Sequence, residues 1–346
     1  MSISLEMDRW FTTRLYALIT DEILGDPAAA TITTQPPIHK DKSEIDQICS
    51  LVRSRLHDCI TTHVECGPSS GPGAEPRLPT RVLYVKNATS YDHSVRLVET
   101  YGATGAYCAL SHCWGPIDRQ PIRTLKRNIH THYSGIPLTA LPRTFREAVI
   151  LTHGLGIDYL WIDSLCIQQD DDNDWSREAA SMGPLYQQAT LVIAAAGSED
   201  PTGGLFVCER SQEISLQLPY GTRGVFNLAC RTPSPSMRPF TDDYRGPLQE
   251  RAWALQEFYL AQRMALFVGH GVNWRCYSCE CDESGADDDL GLYEHLGWFV
   301  LLKIYTRKKL TRQSDRMVAL QGIVDEERKS RDDVFLSEGM WEKEIP

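Results

Sequence analysis

Apolar runs of strand length recur along the middle of the chain, separated by segments with helical periodicity. They predict strands at 81–85, 94–99, 106–112, 157–163 and 190–196. Helical patterns at 141–156 and 172–188 separate the last three of these strands. The strands at 157–163 and 190–196 are almost entirely apolar, which is typical of a parallel sheet with both faces covered. The alternation therefore predicts an α/β core of parallel strands joined by right-handed helical crossovers.

Weaker patterns surround this core. Residues 1–24 are predicted to form an amphipathic helix, and a second helix is expected around residues 45–56. Glycine, proline and serine cluster between residues 67 and 79, where we expect a domain boundary. Beyond residue 204 the pattern predicts two antiparallel strands (ISLQLP and VFNLAC), a helix at 248–260, strands at 263–268 and 272–277, and helices at 293–310 and 314–329.

These patterns divide the chain into three parts. Residues 1–77 are expected to be an N-terminal helical segment with a Gly/Pro-rich linker, and residues 78–260 the α/β core. Residues 261–346 are expected to form a mixed β/helical extension that packs on the core.

The charge of the chain argues against a nucleic-acid partner. The 346 residues include 46 acidic and 35 basic side chains, a formal net charge of −11, and no local basic patch. Duplex binding needs a basic face, so we expect no nucleic-acid partner. The N-terminus lacks the pattern of a secretory signal, and no apolar run approaches the roughly 20 residues of a membrane span. Eleven scattered cysteines favour reduced thiols, and we expect a cytoplasmic protein.

Candidate ligand-binding residues lie at the carboxyl ends of two predicted parallel strands or just after them. This is the edge where ligands bind in open α/β sheets. The residues at these positions are Ser111, His112, Trp114, Gly115, Asp163 and Ser164. We treat them as candidate substrate-binding residues. A structural interpretation stands beside each of them, because buried histidines are often core residues and strand-end aspartates often cap the following loop.

A carboxylate also lies on the apolar stripe of the predicted helix 172–188. Trp175, Glu178, Met182 and Leu185 share one face at helical spacing, which points Glu178 inward. Two interpretations of Glu178 stay open. It is either an ion pair with a buried arginine or a catalytic, ligand-holding acid.

The cysteines offer the best candidates for a metal site. Cys276, Cys279 and Cys281 lie close together in sequence, with His270 upstream. The C-x-C step is tight for a single ion, and no second C-x-x-C completes the set, so we expect no metal there. A still weaker group consists of His57, Cys59, His63 and Cys66. Neither a G-x-S-x-G elbow nor a phosphate-binding glycine loop occurs.

Three long motifs stand in one order along the chain: AYCALSHCWG, LPRTFREAVILTHGLGIDYLWIDSLCIQQDDDNDWSREAASMGPLYQQATLVIAAAG and PLQERAWALQEFYLAQR. Through them the chain closely resembles the fungal heterokaryon-incompatibility (HET) domain, over roughly residues 78–325. The resemblance implies a core related to the Toll/interleukin-1 receptor (TIR) fold, which is a flavodoxin-like parallel sheet flanked by helices. It also implies a cytosolic role in non-self recognition and regulated cell death.

Many TIR domains cleave the nicotinamide–ribose bond of NAD with one glutamate, in a tryptophan-x-x-glutamate-like pattern. The matching residues here are Trp175 and Glu178. The resemblance therefore implies that Glu178 is catalytic, that Trp175 contacts the substrate, and that NAD(P)+ is the substrate with no further cofactor and no metal. Such a protein is expected to self-associate or to respond to an upstream recognition partner.

A non-enzymatic role is the alternative. The domain would then be a death-signalling adaptor that acts by oligomerisation, with Glu178 as a structural ion pair. Residues of the predicted helix 248–260 would then tie the later segment to the core or form an interface, namely Arg251, Trp253, Gln256 and Glu257.

Overall fold

The computed structural model describes most of the chain. The described residues are 3–7, 11–18, 44–67, 75–86, 88, 93–206, 214–219, 225–231, 246–269, 271–281, 297–336 and 339–344. Of the candidate residues, His270 lies outside these ranges.

A nine-stranded mixed sheet forms the centre of the described structure. Its strands are β3 (Arg81–Tyr84), β4 (Ser94–Glu99), β5 (Tyr107–Ser111), β6 (Ile136–Pro137), β7 (Tyr159–Trp161), β8 (Leu191–Ala194), β11 (Arg263–Val268), β12 (Gly271–Cys276) and β13 (Glu280–Cys281). Their order across the sheet is β13-β12-β11-β8-β5-β7-β3-β4-β6.

The four central strands are mutually parallel. Strand β5 pairs with β7 on one side and with β8 on the other, and β8 pairs with β11. Because β5, β7 and β8 are buried at nearly every position, both faces of the sheet must be covered here. The predicted parallel core is confirmed. The flanking strands are antiparallel on both sides, so the sheet as a whole is mixed rather than parallel throughout.

Eight α-helices accompany the strands in the described ranges. They are α1 (Glu44–Thr62), α2 (Ile129–Ser134), α3 (Arg143–Gly154), α4 (Asp163–Cys166), α5 (Asp172–Gln188), α6 (Ala252–Leu260), α7 (Trp298–Thr306) and α8 (Val318–Ser330). Helices α3 and α5 lie at the predicted crossovers between the parallel strands. None of the helices in these ranges has the length and hydrophobicity needed to cross a bilayer.

Local sequence explains where α5 begins. The Asp171 carboxylate accepts hydrogen bonds from the backbone N–H groups of Asn173 and Asp174 and so caps the helix. Further along, Glu178, Met182 and Leu185 are buried, as the apolar stripe predicts.

The N-terminal segment differs from its prediction. Instead of a helix over residues 1–24, the chain forms two antiparallel strands, β1 (Ile3–Met7) and β2 (Phe11–Leu18). Strand β2 pairs in turn with β10 (Val225–Arg231), which pairs with β9 (Ile214–Pro219), giving a separate four-stranded sheet. Antiparallel pairing of the last two strands is confirmed, whereas the N-terminal helix is wrong. The predicted helix near residues 45–56 is confirmed as α1.

The C-terminal part is joined to the core through its strands and its helices. Strand β11, which follows residue 260, is itself one of the four parallel strands. Helices α6, α7 and α8 enclose a second hydrophobic cluster that includes Trp298 and Trp341. Helix α8 approaches α5 so closely that a Cβ on Gly183 would meet the Cα of Gly322 at 2.9 Å. The extension therefore completes the sheet and also packs on it.

Candidate functional site

The chain order of the parallel strands reverses between β5 and β8. Strand β7, which follows β5 along the chain, lies on one side of it, and β8 lies on the other. Strands β5 and β8 end at the same level of the sheet, because the N–H of Ala195 donates to the carbonyl of Ser111 at 2.9 Å. Ligands of open α/β sheets bind in the crevice outside the carboxyl ends at such a reversal. The loops 112–120 and 195–206 follow β5 and β8 at this edge of the sheet.

Gly115 brings these two loops together. Its φ of +74° lies in the left-handed region, and a Cβ there would meet Cβ of Asp200 at 2.6 Å. The Asp200 carboxylate also pairs with Arg119 at 3.2 Å. Only glycine fits both the backbone conformation and the close approach, so Gly115 is explained by its contact with the second loop.

Asp163 is the polar centre on the β7 side of the crevice. Its Oδ2 accepts a hydrogen bond of 2.7 Å from the indole N–H of Trp114, and its Oδ1 accepts one of 2.6 Å from the N–H of Ser164. Nε2 of His112 lies 3.7 Å from Oδ1. The side chain of Asp163 is 16% exposed and Trp114 is half-buried, so this edge of the group faces solvent.

Two buried polar atoms beside Asp163 have no hydrogen-bond partner among the described residues. They are Nε2 of His112, a residue only 2% exposed, and Oγ of Ser164. Buried polar atoms are normally satisfied, and an exception requires an explanation. Both atoms belong to residues next to Asp163 in the structure, whose carboxylate is the part of this group that reaches solvent.

Glu257 of α6, which is distant in sequence, also lies at this edge of the sheet. The Ser111 hydroxyl donates to its Oε2, and Tyr186 of α5 lies beside it. Arg251, just before α6, donates to the carbonyl oxygen of His112. These contacts join α6 to the end of β5 and to the residue that follows it. We call Ser111, His112, Asp163 and Glu257 the switch-point cluster.

Burial changes the charge of two members of this cluster. Loss of hydration raises the pKa of Glu257 to about 7, and the charge of Asp163 adds to that rise, while Arg251 and the Ser111 hydroxyl oppose it. Burial also lowers the pKa of His112 to about 4, and Asp163 opposes this fall only partly. His112 is therefore neutral at pH 7, and Glu257 exchanges its proton near that pH.

Glu178 lies in a different environment, between two arginines. It is 3% exposed, with Oε1 4.0 Å from Nη2 of Arg81 and 3.4 Å from Nε of Arg177. Both guanidinium groups also pair with Asp174, one turn earlier on α5. We call these four residues the arginine cluster. The first of the two interpretations of Glu178, an ion pair with a buried arginine, matches these contacts.

The structure thus separates the residues that the sequence proposed as one site. Ser111, His112, Trp114, Asp163 and Ser164 come together, with Gly115 at the adjoining loop. Glu178 belongs to the arginine cluster. Trp175 packs half-buried against the main hydrophobic core, and the hydrogen bonds and ion pairs of the switch-point cluster do not include it. Arg81 and the placement of Glu257 in the site were missed, because no local motif signals a contact across 93 or 146 residues.

The cysteines are arranged differently from the sequence-based prediction. That prediction assessed the group around Cys59 and the group around Cys276 separately and found each incomplete. In the structure, Cys276 joins Cys59, His63 and Cys66, and their ligand atoms all lie within 4.8 Å of one another. The reason given for expecting no metal therefore fails, although Cys281 is not part of the group.

Comparison with known proteins gives one family match. No curated protein and no solved structure matches the chain. The family model described as "Heterokaryon incompatibility protein (HET)" matches residues 107–257, which begin with β5 and end at Glu257. Similarity to the heterokaryon-incompatibility (HET) family is therefore shown for residues 107–257, which make up less than half of the chain.

Proposed function

We propose that this protein is an effector of fungal heterokaryon incompatibility and regulated cell death whose HET domain hydrolyses the nicotinamide–ribose bond of NAD(P)+. The family match supports the first half of this proposal. The observation that carries the second half is the switch-point cluster, in which Ser111, His112, Asp163 and Glu257 meet at the reversal of the parallel strands.

The topology of the sheet supports a flavodoxin-like, TIR-related core. Counted along the chain, the parallel strands β5, β7, β8 and β11 are the first to fourth, and their spatial order is 2-1-3-4. Flavodoxin-like sheets have this order and bind their ligand at the point between the first and third strands. Here that point lies between Ser111 and Ala194, which are direct partners in the sheet.

The charges of the cluster suit cleavage at an anomeric carbon. Hydrolysis of a glycosidic bond passes through an oxocarbenium-like state, which a fixed carboxylate stabilises. We assign this contact to Asp163, the carboxylate that reaches solvent, and we assign to the neutral His112 a hydrogen bond with a ribose hydroxyl. Glu257 acts through Ser111, whose hydroxyl it orients. Water attacks the anomeric carbon, the carbon–nitrogen bond breaks with its electron pair passing to nicotinamide, and the water proton is released.

The arginine cluster favours the second candidate, a non-enzymatic adaptor that acts by oligomerisation. In that case Glu178 holds α5 to β3 through Arg81, and no group in the switch-point cluster needs to react. The catalytic role of Glu178 stays a prediction, and it competes with the assignment to Asp163.

Nicotinamide release by the purified full-length chain tests the proposal. The assay uses NAD+ and NADP+ separately, at several protein concentrations so that self-association is covered. We expect release by the wild type and a loss of about 10²–10³-fold in Asp163→Asn, because the variant keeps the shape but removes the charge. Glu250→Gln is the matched control, since Glu250 is a half-exposed carboxylate that pairs with Lys309 near the surface. Its activity should equal that of the wild type.

Two outcomes contradict the proposal. Absence of release by the wild type at every concentration, with a self-associated form present in the same samples, favours the adaptor. Equal release by Asp163→Asn and the wild type refutes the assignment to the switch-point cluster.

A further inference from the structure

Four potential metal ligands meet where the end of α1 contacts strand β12, away from the switch-point cluster. Cys59 lies in the last turn of α1, and His63 and Cys66 follow in the turn after it. Cys276 is the last residue of β12. We call these four residues the thiol cluster. They come from two segments that lie outside the residues matched by the family model and that have no role in the proposed function.

Backbone hydrogen bonds hold the first three ligands on one side of the chain. The N–H of His63 donates to the carbonyl of Cys59 at 3.2 Å, which continues the helix by one step, and the N–H of Cys66 donates to the carbonyl of His63 at 3.2 Å. Residues four apart on a helix share a face, so Cys59 and His63 point the same way. Cys276 is fixed from the other side by its N–H, which donates to the carbonyl of Cys279 at 2.8 Å.

The distances within the cluster are those of a metal site that needs little rearrangement. Sγ of Cys276 lies 3.4 Å from Nδ1 of His63, and all four ligand atoms lie within 4.8 Å of one another. Zinc–sulfur bonds of about 2.3 Å place the sulfurs of a tetrahedral site roughly 3.8 Å apart. Cys59 and Cys66 are fully buried, Cys276 is nearly so, and His63 is partly exposed, which leaves one side open for an ion to enter.

We propose that Cys59, His63, Cys66 and Cys276 bind one zinc ion as a closed, four-ligand structural site. Three thiolates and one imidazole form a Cys₃His set, which is a common donor set for structural zinc. Binding releases the three thiol protons to solvent. The ion has no open coordination position in this arrangement, so its role is to fasten α1 to the central sheet.

A buried arginine supports the charge balance of this site. Arg263 of β11 donates from Nε to Sγ of Cys59 at 3.3 Å and from Nη2 to the carbonyl of Cys66, and its third partner is Oε1 of Gln262. These partners are a thiol sulfur and two neutral oxygens, and none of the three offers a negative charge to a guanidinium that is only 6% exposed. Three thiolates and Zn²⁺ carry a net charge of −1, and Arg263 neutralises it.

Elemental analysis of the full-length protein, purified without chelators, tests the proposal directly. We expect about one zinc ion per chain. Replacement of zinc by cobalt(II) should give the intense near-ultraviolet charge-transfer bands of thiolate ligation and the visible bands of a tetrahedral ion. Wild-type protein that contains no zinc after expression in zinc-supplemented medium overturns the proposal.

Variants identify the ligands. Cys66→Ser and Cys276→Ser should each lose the zinc and the cobalt spectrum. His63→Ala, which changes a partly exposed side chain, should keep the fold and lose zinc to a chelator that leaves the wild type loaded. Cys49→Ser is the matched control, because Cys49 is a buried cysteine of the same helix that lies outside the cluster. Full zinc retention in both Cys276→Ser and His63→Ala contradicts the assignment, and so does equal zinc loss in Cys49→Ser.

Discussion

The arginine cluster and the switch-point cluster each contain two carboxylates near the carboxyl ends of the parallel strands. Glu178 and Glu257 are equally inaccessible, at 3% exposure each. In the first cluster, Arg81 and Arg177 sit against Glu178 and Asp174. In the second, Glu257 has a hydroxyl as its direct partner, and its pKa rises to about 7.

The difference shows that burial alone does not identify a functional carboxylate. A buried charge with well-placed counter-ions is part of the framework, and removing one partner is costly. A buried carboxyl without a direct counter-ion titrates near neutrality and can respond to a cationic ligand. NAD(P)+ carries its positive charge on the nicotinamide ring, which suits the second environment.

The largest expected effect is on stability, in the arginine cluster. Arg81→Met keeps the length of the side chain but leaves Asp174 and Glu178 without their buried cation. We expect the free energy of unfolding to fall by about 3–5 kcal/mol in urea denaturation. Lys86→Met is the control, because it removes only the exposed pair of Lys86 with Asp158 and should change little. Equal destabilisation by the two variants would show that the buried ion pairs of Arg81 contribute no more to stability than an exposed pair does.

The second effect separates the two clusters by activity. Glu178→Gln should lower the melting temperature and leave nicotinamide release per folded molecule near that of the wild type. Asp163→Asn should lose about 10²–10³-fold in release and keep most of its stability. Release and thermal denaturation measured on the same samples give both quantities. The opposite pattern, with release abolished only in a well-folded Glu178→Gln, restores the catalytic role implied by the resemblance to TIR domains.

The third effect is a hidden pH dependence within the switch-point cluster. The pKa of Glu257 rises from 4.5 to about 7 on folding, so its contribution to stability is lost as pH rises across that window. The pKa of His112 falls from 6.5 to about 4, so its contribution grows with pH across nearly the same window. Each amounts to at most about 3.5 kcal/mol, since one pKa unit corresponds to about 1.4 kcal/mol. The two contributions largely cancel in the wild type.

Single variants reveal each half of this balance. Relative to the wild type, Glu257→Gln should gain stability from pH 4.5 to 7, and His112→Gln should lose stability over the same range. Urea denaturation at half-unit pH steps measures both curves. If both variants run parallel to the wild type, the two groups do not titrate differently in the folded and unfolded chains.

The smallest expected effect concerns the hydrogen bond between Trp114 and Asp163, at the solvent-facing edge of the switch-point cluster. Trp114→Phe removes the 2.7 Å hydrogen bond to Asp163 and should cost about 1 kcal/mol of stability, because water replaces part of the bond. It should also raise the KM for NAD(P)+, since Asp163 loses a fixed orientation. Trp175→Phe is the comparison variant. Steady-state kinetics should give it the same KM as the wild type. A larger change in Trp175→Phe would place the substrate near α5 instead.

The sequence predicts the sheet core well because its signals are local. The apolar strands β7 and β8 and the helix α5 with its Asp171 cap all follow from neighbouring residues. The N-terminal strands were misassigned although Ile3, Leu5 and Met7 recur at every second position, which is the period of a strand. Tertiary pairings, such as Arg81 with Asp174, have no such local period.

The same limit applies to the candidate site and to the thiol cluster. Strand-end rules applied to the sequence place Ser111, His112 and Asp163 at one edge of the sheet. They do not reveal that Glu257 joins them or that Cys276 meets Cys59, since these contacts depend on how distant segments pack.

The hydrogen bond between Ser111 and Glu257 joins residues 146 positions apart, and this bears on how the protein is made. Contacts between distant segments form late, because a long loop must close before they stabilise the fold. Synthesis proceeds from the N-terminus, so a nascent chain has completed β5, β7 and β8 while α6 is still inside the ribosome. A chain that stops before α6 carries Ser111, His112 and Asp163 but not the carboxyl that completes their cluster. The complete switch-point cluster is thereby confined to chains that have been synthesised past Glu257, which would delay the proposed activity until most of the chain exists.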